Sequence, residues 1–133
     1  MVPYSDAETA PSQITMLVAE DDPLVRHAMA EALRDLGVCV VQAATGDEAW
    51  EFLTTGGAVD LVFTDHQMPG SLTGAQLAAK IRGRYPGLKV IITSADFVAG
   101  GSEAVLRKPY PLYETAADLA ELAVKNKHGR ADP

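Results

Sequence analysis

The sequence predicts an α/β protein: a doubly wound, five-stranded parallel sheet with helices on both faces. Three observations predict it. Five short apolar runs rich in Val, Ile and Leu recur along the chain, stretches at helical spacing separate most of them, and Gly, Pro or a capping residue marks most joins. Parallel strands must be joined by long crossovers, normally helices, and strands covered on both faces read as near-continuous apolar runs.

Residues 1–13 hold two prolines and few large apolar groups, and read as a disordered leader. The folded unit is expected over 14–125, and 126–133 reads as a flexible tail. The first strand is 14–19. Pro23 permits a helix to start, Val25, Met29, Leu33 and Leu36 follow at helical spacing, and Gly37 supplies the stop. The second strand is 38–43. Thr45 can cap a helix over about 46–55, which Gly56 and Gly57 end before the strand 59–64. Thr73 can cap the next helix, in which Leu77, Ile81 and Tyr85 share a face and Pro86-Gly87 ends the element. The strands 88–93 and 104–107 follow, then a helix over about 111–125 with Leu112, Ala116, Leu119 and Leu122 on one side. Only about nine residues, Ala95 to Glu103, join the last two strands, fewer than the dozen a full crossover needs. The fourth crossover helix is therefore expected to be shortened or irregular.

At 133 residues with 47% hydrophobic content the chain suits one domain with a single core. Its 11 basic and 18 acidic residues leave a net charge of −7, and no Lys/Arg cluster offsets it, which argues against direct nucleic-acid binding. No apolar run is long enough to span a bilayer and the N-terminus lacks a signal-peptide pattern, so a cytoplasmic protein is expected. Cys39 has no partner cysteine and reads as a small buried strand residue.

The chemistry collects at strand ends, where α/β sheets carry it. Glu20-Asp21-Asp22 follows the first strand and Asp65 ends the third. Ser94 follows the fourth, and Lys108 follows the fifth just before Pro109. Several acids, a hydroxyl and a lysine, each at its own strand end, describe a site for a divalent cation and a phosphoryl group. Taken singly, each has an ordinary explanation: Asp21 or Asp22 as a helix cap, Asp65 in an Asx-turn, Ser94 as a cap, Lys108 as a solvated charge. Their joint occurrence does not.

Four segments carry a family resemblance: Leu17-Val18-Ala19-Glu20-Asp21-Asp22-Pro23, Leu61 to Gly70 around Asp65, Ile91-Ile92-Thr93-Ser94-Ala95, and Leu106-Arg107-Lys108-Pro109-Tyr110. In this order and at these strand ends they resemble the signatures of bacterial response-regulator receiver domains, over roughly 14–125. The resemblance implies a flavodoxin-like fold with strand order 2-1-3-4-5. It implies that Asp65 is the phosphoacceptor and that Glu20 and Asp21 are the acidic pair at the cation. It also implies that the Gln67 backbone carbonyl completes the protein ligands, and that Ser94 and Lys108 contact the phosphoryl oxygens. Gln67 and Asp96, two residues beyond Asp65 and Ser94, are implied to tune hydrolysis of the product. Mg²⁺ fits this donor set best, being an oxygen-seeking cation that keeps several waters. The implied partners are a histidine kinase or histidine phosphotransfer protein as phosphodonor, and a downstream protein target.

The chain is accordingly expected to be a signalling phosphoprotein that assists its own phosphorylation and dephosphorylation rather than an enzyme. It is read as a stand-alone regulator or relay shuttle, with a receiver excised from a hybrid histidine kinase as the alternative. A phosphatase of the haloacid-dehalogenase type is the enzyme rival, but it needs a second acid where this chain has Gln67. His66 is expected to point away from Asp65, His27 and His128 to be solvated, and Trp50 and Phe52 to pack. One departure stands out. Many receivers carry an aromatic residue three before the lysine, where this chain has Val105, and Tyr110 is the nearest candidate to replace it.

Overall fold

A computed structural model describes residues 13–95 and 104–129. The five strands are β1 (Thr15–Ala19), β2 (Cys39–Ala43), β3 (Leu61–Asp65), β4 (Val90–Ser94) and β5 (Ala104–Arg107), and the described helices are α1 (Pro23–Asp35), α2 (Gly46–Thr54), α3 (Gly74–Arg84) and α4 (Leu112–Gly129). The strands form one parallel sheet in the order β2-β1-β3-β4-β5. The expected fold class and order therefore hold. The leader lies outside the described residues apart from Gln13, and so does the short connection after Ala95, with Asp96 in it.

Side-chain alternation divides the interior into two layers. Met16 and Val18 of β1, Leu61 and Phe63 of β3 and Ile91 of β4 pack with α1 and α4, through Met29, Leu33, Leu119 and Ala123. Leu17, Val62, Val90 and Ile92 face the other way, onto Leu53 of α2 and Leu77 and Ile81 of α3. Because successive strand residues point to opposite faces, every position of β3 and β4 is buried. A half-exposed Val25 and Leu36 depart from the expected α1 stripe, whose buried members are Met29, Ala30, Ala32 and Leu33. Cys39 is half-buried and its thiol sulfur accepts from the Gln13 amide at 2.9 Å. Among the described residues no helix is long and apolar enough to cross a membrane.

The caps follow the sequence. Asp22 caps α1, accepting from the Leu24 N–H at 3.0 Å with Pro23 in the first turn. Thr45 caps α2, and Thr73 and Gln76 form a reciprocal capping box on α3. Gly37, at φ +88°, takes the left-handed conformation that ends α1.

The C-terminal boundary is a correction. The segment from Asn126, expected to be a flexible tail, continues α4 as far as Gly129. Two tertiary contacts hold it. The Asn126 side-chain amide donates to the Asp60 carbonyl at 2.6 Å, and the Lys127 ammonium lies 3.7 Å from the buried Asp60 carboxylate, which also accepts the Thr15 N–H at 3.0 Å. A polar tail reads as disordered from composition; a buried acid just before β3 is what fixes this one. Ending the chain at Lys125 is expected to destabilise it by about 1–3 kcal/mol, since the Asp60 groups lose partners while still excluded from water. Urea unfolding of the shortened chain measures the loss, and an unchanged midpoint would contradict it.

Candidate functional site

Parallel pairing brings the C-terminal ends of β1, β3, β4 and β5 to one edge of the sheet. Ala19 pairs with Ala43 and Thr64, Asp65 with Thr93, and Ser94 with Arg107. The next residues along the chain, Glu20 and Lys108, therefore flank Asp65. Ligand oxygens of Glu20, Asp21 and Asp65 all lie within 4.8 Å of one another. The Lys108 ammonium sits 3.2 Å from Asp65 Oδ2 and 3.8 Å from Glu20 Oε1.

Glu20 and Asp65 are each 7% exposed, whereas Asp21 faces solvent. Burying two carboxylates side by side is unfavourable, and the local backbone offsets part of it. Glu20 Oε2 accepts the Asp22 N–H at 3.0 Å, and its own N–H donates to the Ala43 carbonyl at 3.0 Å. The Arg26 guanidinium donates to the Glu20 carbonyl at 2.8 Å and, through Nε, to Gln42 at 3.1 Å. Even so, burial pushes the Glu20 carboxyl up from 4.5 to about 7, with the Asp65 charge and the Asp21 side chain adding to the rise against the Asp22 N–H and Lys108. The site is short of positive charge. A hard cation would relieve it, since all three side chains offer oxygen.

Asp65 is held from behind. Its strand neighbour Thr64 is fully buried and donates its hydroxyl to the Asp65 carbonyl at 3.0 Å, and the His66 N–H donates to the Thr93 carbonyl at 2.8 Å. Gly74 opens α3 directly against this turn, so close to the Asp65 carbonyl that a Cβ would clash with it, while its N–H donates to the His66 carbonyl at 2.9 Å. Ser94 is buried, and its carbonyl accepts the Lys108 N–H at 2.9 Å, which ties the two strand ends together. Gln67 lies exposed on the loop between β3 and α3. The Lys108–Pro109 peptide bond is cis.

The structure thus brings Glu20, Asp21, Asp65 and Lys108 together, sets Ser94 beside the Lys108 backbone, and assigns Asp22 to the α1 cap. Of the rest, His27 is exposed, Trp50 packs edge-on against Tyr85 with Lys80 over its ring, and Val105 is an exposed residue of the edge strand β5. His66 is half-buried, and its Nδ1 has no hydrogen-bond partner among the described residues. Tyr110 stands closer to the chemistry than Val105. Its ring packs edge-on against Phe63 at 6.0 Å and lines the same small cavity as Glu20 and Asp65, and burial followed by those two charges raises its hydroxyl pKa. Two supporting residues carried no signal that sequence reasoning used. Arg26 looks like any surface helix cation, and Asp47 like an acid in a helix's first turn.

The profile of the response regulator receiver domain matches residues 16–108. The chain is 32% identical over 120 residues to the sensor kinase CckA of Brucella abortus, a match covering 84% of this chain but 13% of that protein. Among solved structures, the receiver domain of the hybrid histidine kinase CckA aligns with a TM-score of 0.69 at 31% identity, over 83% of this chain and 98% of that one. The response regulator TrrA of Thermotoga maritima, solved in complex with Mg²⁺-BeF, aligns with a TM-score of 0.72 at 26% identity, over 83% of this chain and 99% of that one. The motifs at four strand ends, the sheet they build and these likenesses agree: the chain belongs to the response regulator receiver domain family.

Proposed function

We propose that Asp65 accepts a phosphoryl group from a phosphohistidine on a partner histidine kinase or histidine phosphotransfer protein, with Mg²⁺ held by Glu20, Asp21, Asp65 and the backbone carbonyl of Gln67. The observation that carries this reading is the cluster itself: three carboxylates with oxygens within 4.8 Å, and a lysine ammonium 3.2 Å from one of them. The all-oxygen donor set, partly open to solvent through Asp21, suits a cation that keeps water in its shell. The TrrA neighbour, which carries Mg²⁺ and beryllofluoride, supports the choice of metal.

When bound, Mg²⁺ supplies charge neutralisation and orients the phosphoryl oxygens. An Asp65 carboxylate oxygen attacks the phosphorus in line. The P–N bond to the donor imidazole breaks, its electron pair leaves with the imidazole, and an acyl phosphate remains on Asp65. Lys108, already paired with Asp65, turns its ammonium toward one phosphoryl oxygen, and the Ser94 hydroxyl donates to another. Gln67 and Asp96 set the rate at which water removes the group. An apolar groove of Leu24, Val25, Ala28, Pro109, Tyr110 and Leu112 opens beside Lys108 and offers the phosphodonor protein a face next to the chemistry. The output is a changed contact with a downstream protein in the cytoplasm. A receiver belonging to a hybrid histidine kinase is the second reading, favoured by the likeness to the CckA receiver. Both use the same carboxylate.

Asp65→Asn is expected to abolish labelling by acetyl phosphate in the presence of Mg²⁺, because an amide lacks a nucleophilic oxygen of comparable strength. Undiminished labelling of the variant would move the acceptor elsewhere. Asp21→Ala is expected to raise the Mg²⁺ dissociation constant at least about tenfold, or about 1.4 kcal/mol, as read by calorimetric titration. An unchanged constant would place the metal at other ligands.

Glu20 also gives the metal-free protein a pH signature. Its folded carboxyl titrates near 7 against an ordinary 4.5, so across that window the folded chain holds a proton that the unfolded chain has released. Stability without metal should therefore be greatest below that window and fall as pH rises through it. Thermal melts from about pH 5 to about pH 7.5 should show the decline, Glu20→Gln should flatten it, and Mg²⁺ should stabilise most at the upper end. A melting temperature that rises across the window, with the same response in Glu20→Gln, would contradict this assignment.

A further inference from the structure

The loop from His66 to Thr73 has to deliver the Gln67 carbonyl to the cation, yet Gln67 itself is exposed. Its neighbours are pinned instead. Met68 packs into the layer under α2 and α3, with its sulfur 3.9 Å from the Thr64 hydroxyl, and Gly74 closes the neck on the His66 carbonyl. Between these pins the chain turns through Gly70 at φ +100°, a conformation open to glycine.

The third pin comes from another element. Asp47, in the first turn of α2, accepts the Ser71 hydroxyl at 2.5 Å and the Ser71 N–H at 3.0 Å. Its carboxylate lies against Gly70, where a Cβ would come within 2.7 Å of Oδ2, and the preceding Gly46 packs against Leu72, where a Cβ would come within 2.8 Å of the carbonyl oxygen. An acid at a helix start ordinarily serves the helix's own N–H groups. Here that work is done by others. Thr45 accepts the Glu48 N–H at 3.0 Å and Glu48 accepts the Ala44 N–H at 2.8 Å, which leaves Asp47 for the loop. The Ser71 hydroxyl, then its N–H, hold the Asp47 carboxyl below its usual range, so it is ionised at neutral pH. α2 follows β2 within two residues, and the last residue of β2, Ala43, is the one whose carbonyl holds the Glu20 N–H.

We propose that Asp47 is a positioning residue for the cation site: by latching Ser71 it fixes the loop that carries Gln67 to the same strand end that holds Glu20, and so sets the Gln67 carbonyl at the right distance from the three carboxylates. The inference rests on the reading of the Gln67 carbonyl as a ligand given above. Asp47 touches neither metal nor phosphoryl group. Its loss should loosen metal binding and leave the transfer step intact once metal saturates.

Calorimetric Mg²⁺ titration and acetyl phosphate labelling against Mg²⁺ concentration test this in wild type, Asp47→Ala, Asp47→Asn, Ser71→Ala and the Asp47→Ala/Ser71→Ala double variant, each with a thermal melt. Asp47→Ala should raise the Mg²⁺ dissociation constant about three- to tenfold, less than the roughly ten- to hundredfold typical of residues bonded directly to a ligand, because this latch is solvent-exposed and acts through the loop. The labelling rate at saturating Mg²⁺ should stay within about twofold of wild type. Asp47→Asn, which keeps an oxygen for the Ser71 hydroxyl, should recover most of the affinity, and the double variant should bind no more weakly than Asp47→Ala. A folded Asp47→Ala with wild-type affinity, additive losses in the double variant, or a lost maximal rate at unchanged affinity would each overturn the latch. If Asp47→Ala fails to fold, Ser71→Ala decides: it should still weaken Mg²⁺ binding, and unchanged affinity there overturns the proposal. Absence of Mg²⁺ binding in wild type would instead strike the underlying site assignment.

Discussion

The structure depends on crowding like charges at one edge of a parallel sheet. Glu20 and Asp65 are both almost inaccessible to water, with carboxylate oxygens within 4.8 Å of each other, and Lys108 is the one ammonium within 4 Å of both among the described residues. An arrangement of this kind is unfavourable for folding alone, since each buried carboxylate loses hydration that the single lysine does not fully replace. Its cost makes sense under the proposed role, because the exclusion of water that makes the carboxylates costly to bury also strengthens interactions with a cation and a phosphoryl group.

The rest of the fold can be read as support for that edge. Buried strands of five residues, β3 and β4, hold Asp65 and Ser94 at fixed depth, and their backbone ladder continues past the strands through the His66 and Lys108 N–H groups. Close approaches that exclude a Cβ, at Gly46, Gly70 and Gly74, pack the loop after Asp65 against α2 and α3. At the opposite end of the sheet Asp60 binds the last turn of α4, so the helix beside Lys108 is anchored far from the chemistry. Buried strands carry Asp65 and Ser94, while β5 is exposed at the sheet edge and Tyr110 lines the apolar groove beside Lys108.

Much of this was legible in the sequence because its signals are local. Apolar runs marked the strands, Pro23 and Gly37 marked the ends of α1, Thr45 and Thr73 announced their caps, and the acids and lysine followed their strands directly. What was missed depends on pairs distant along the chain. Asn126 and Lys127 look like a polar tail until Asp60, 66 residues before Asn126, is placed beneath them. Asp47 and Ser71 are 24 residues apart, and neither type is unusual where it stands. Within Glu20-Asp21-Asp22 the residue types alone left the division of labour open and the family resemblance singled out Glu20 and Asp21; in the structure Asp22 turns to cap α1 while Glu20 and Asp21 cluster with Asp65.

On the proposed mechanism the crowded carboxylate at position 65, rather than its neighbours in the cluster or the adjacent His66, takes the phosphoryl group. Reduction with borohydride after labelling by acetyl phosphate and Mg²⁺ tests it most directly, since an acyl phosphate on aspartate is converted to homoserine and fixed for peptide sequencing by mass spectrometry. Homoserine is expected at position 65 alone. Homoserine at position 21, an acid-labile phosphate on His66, or a label that borohydride does not trap would contradict it.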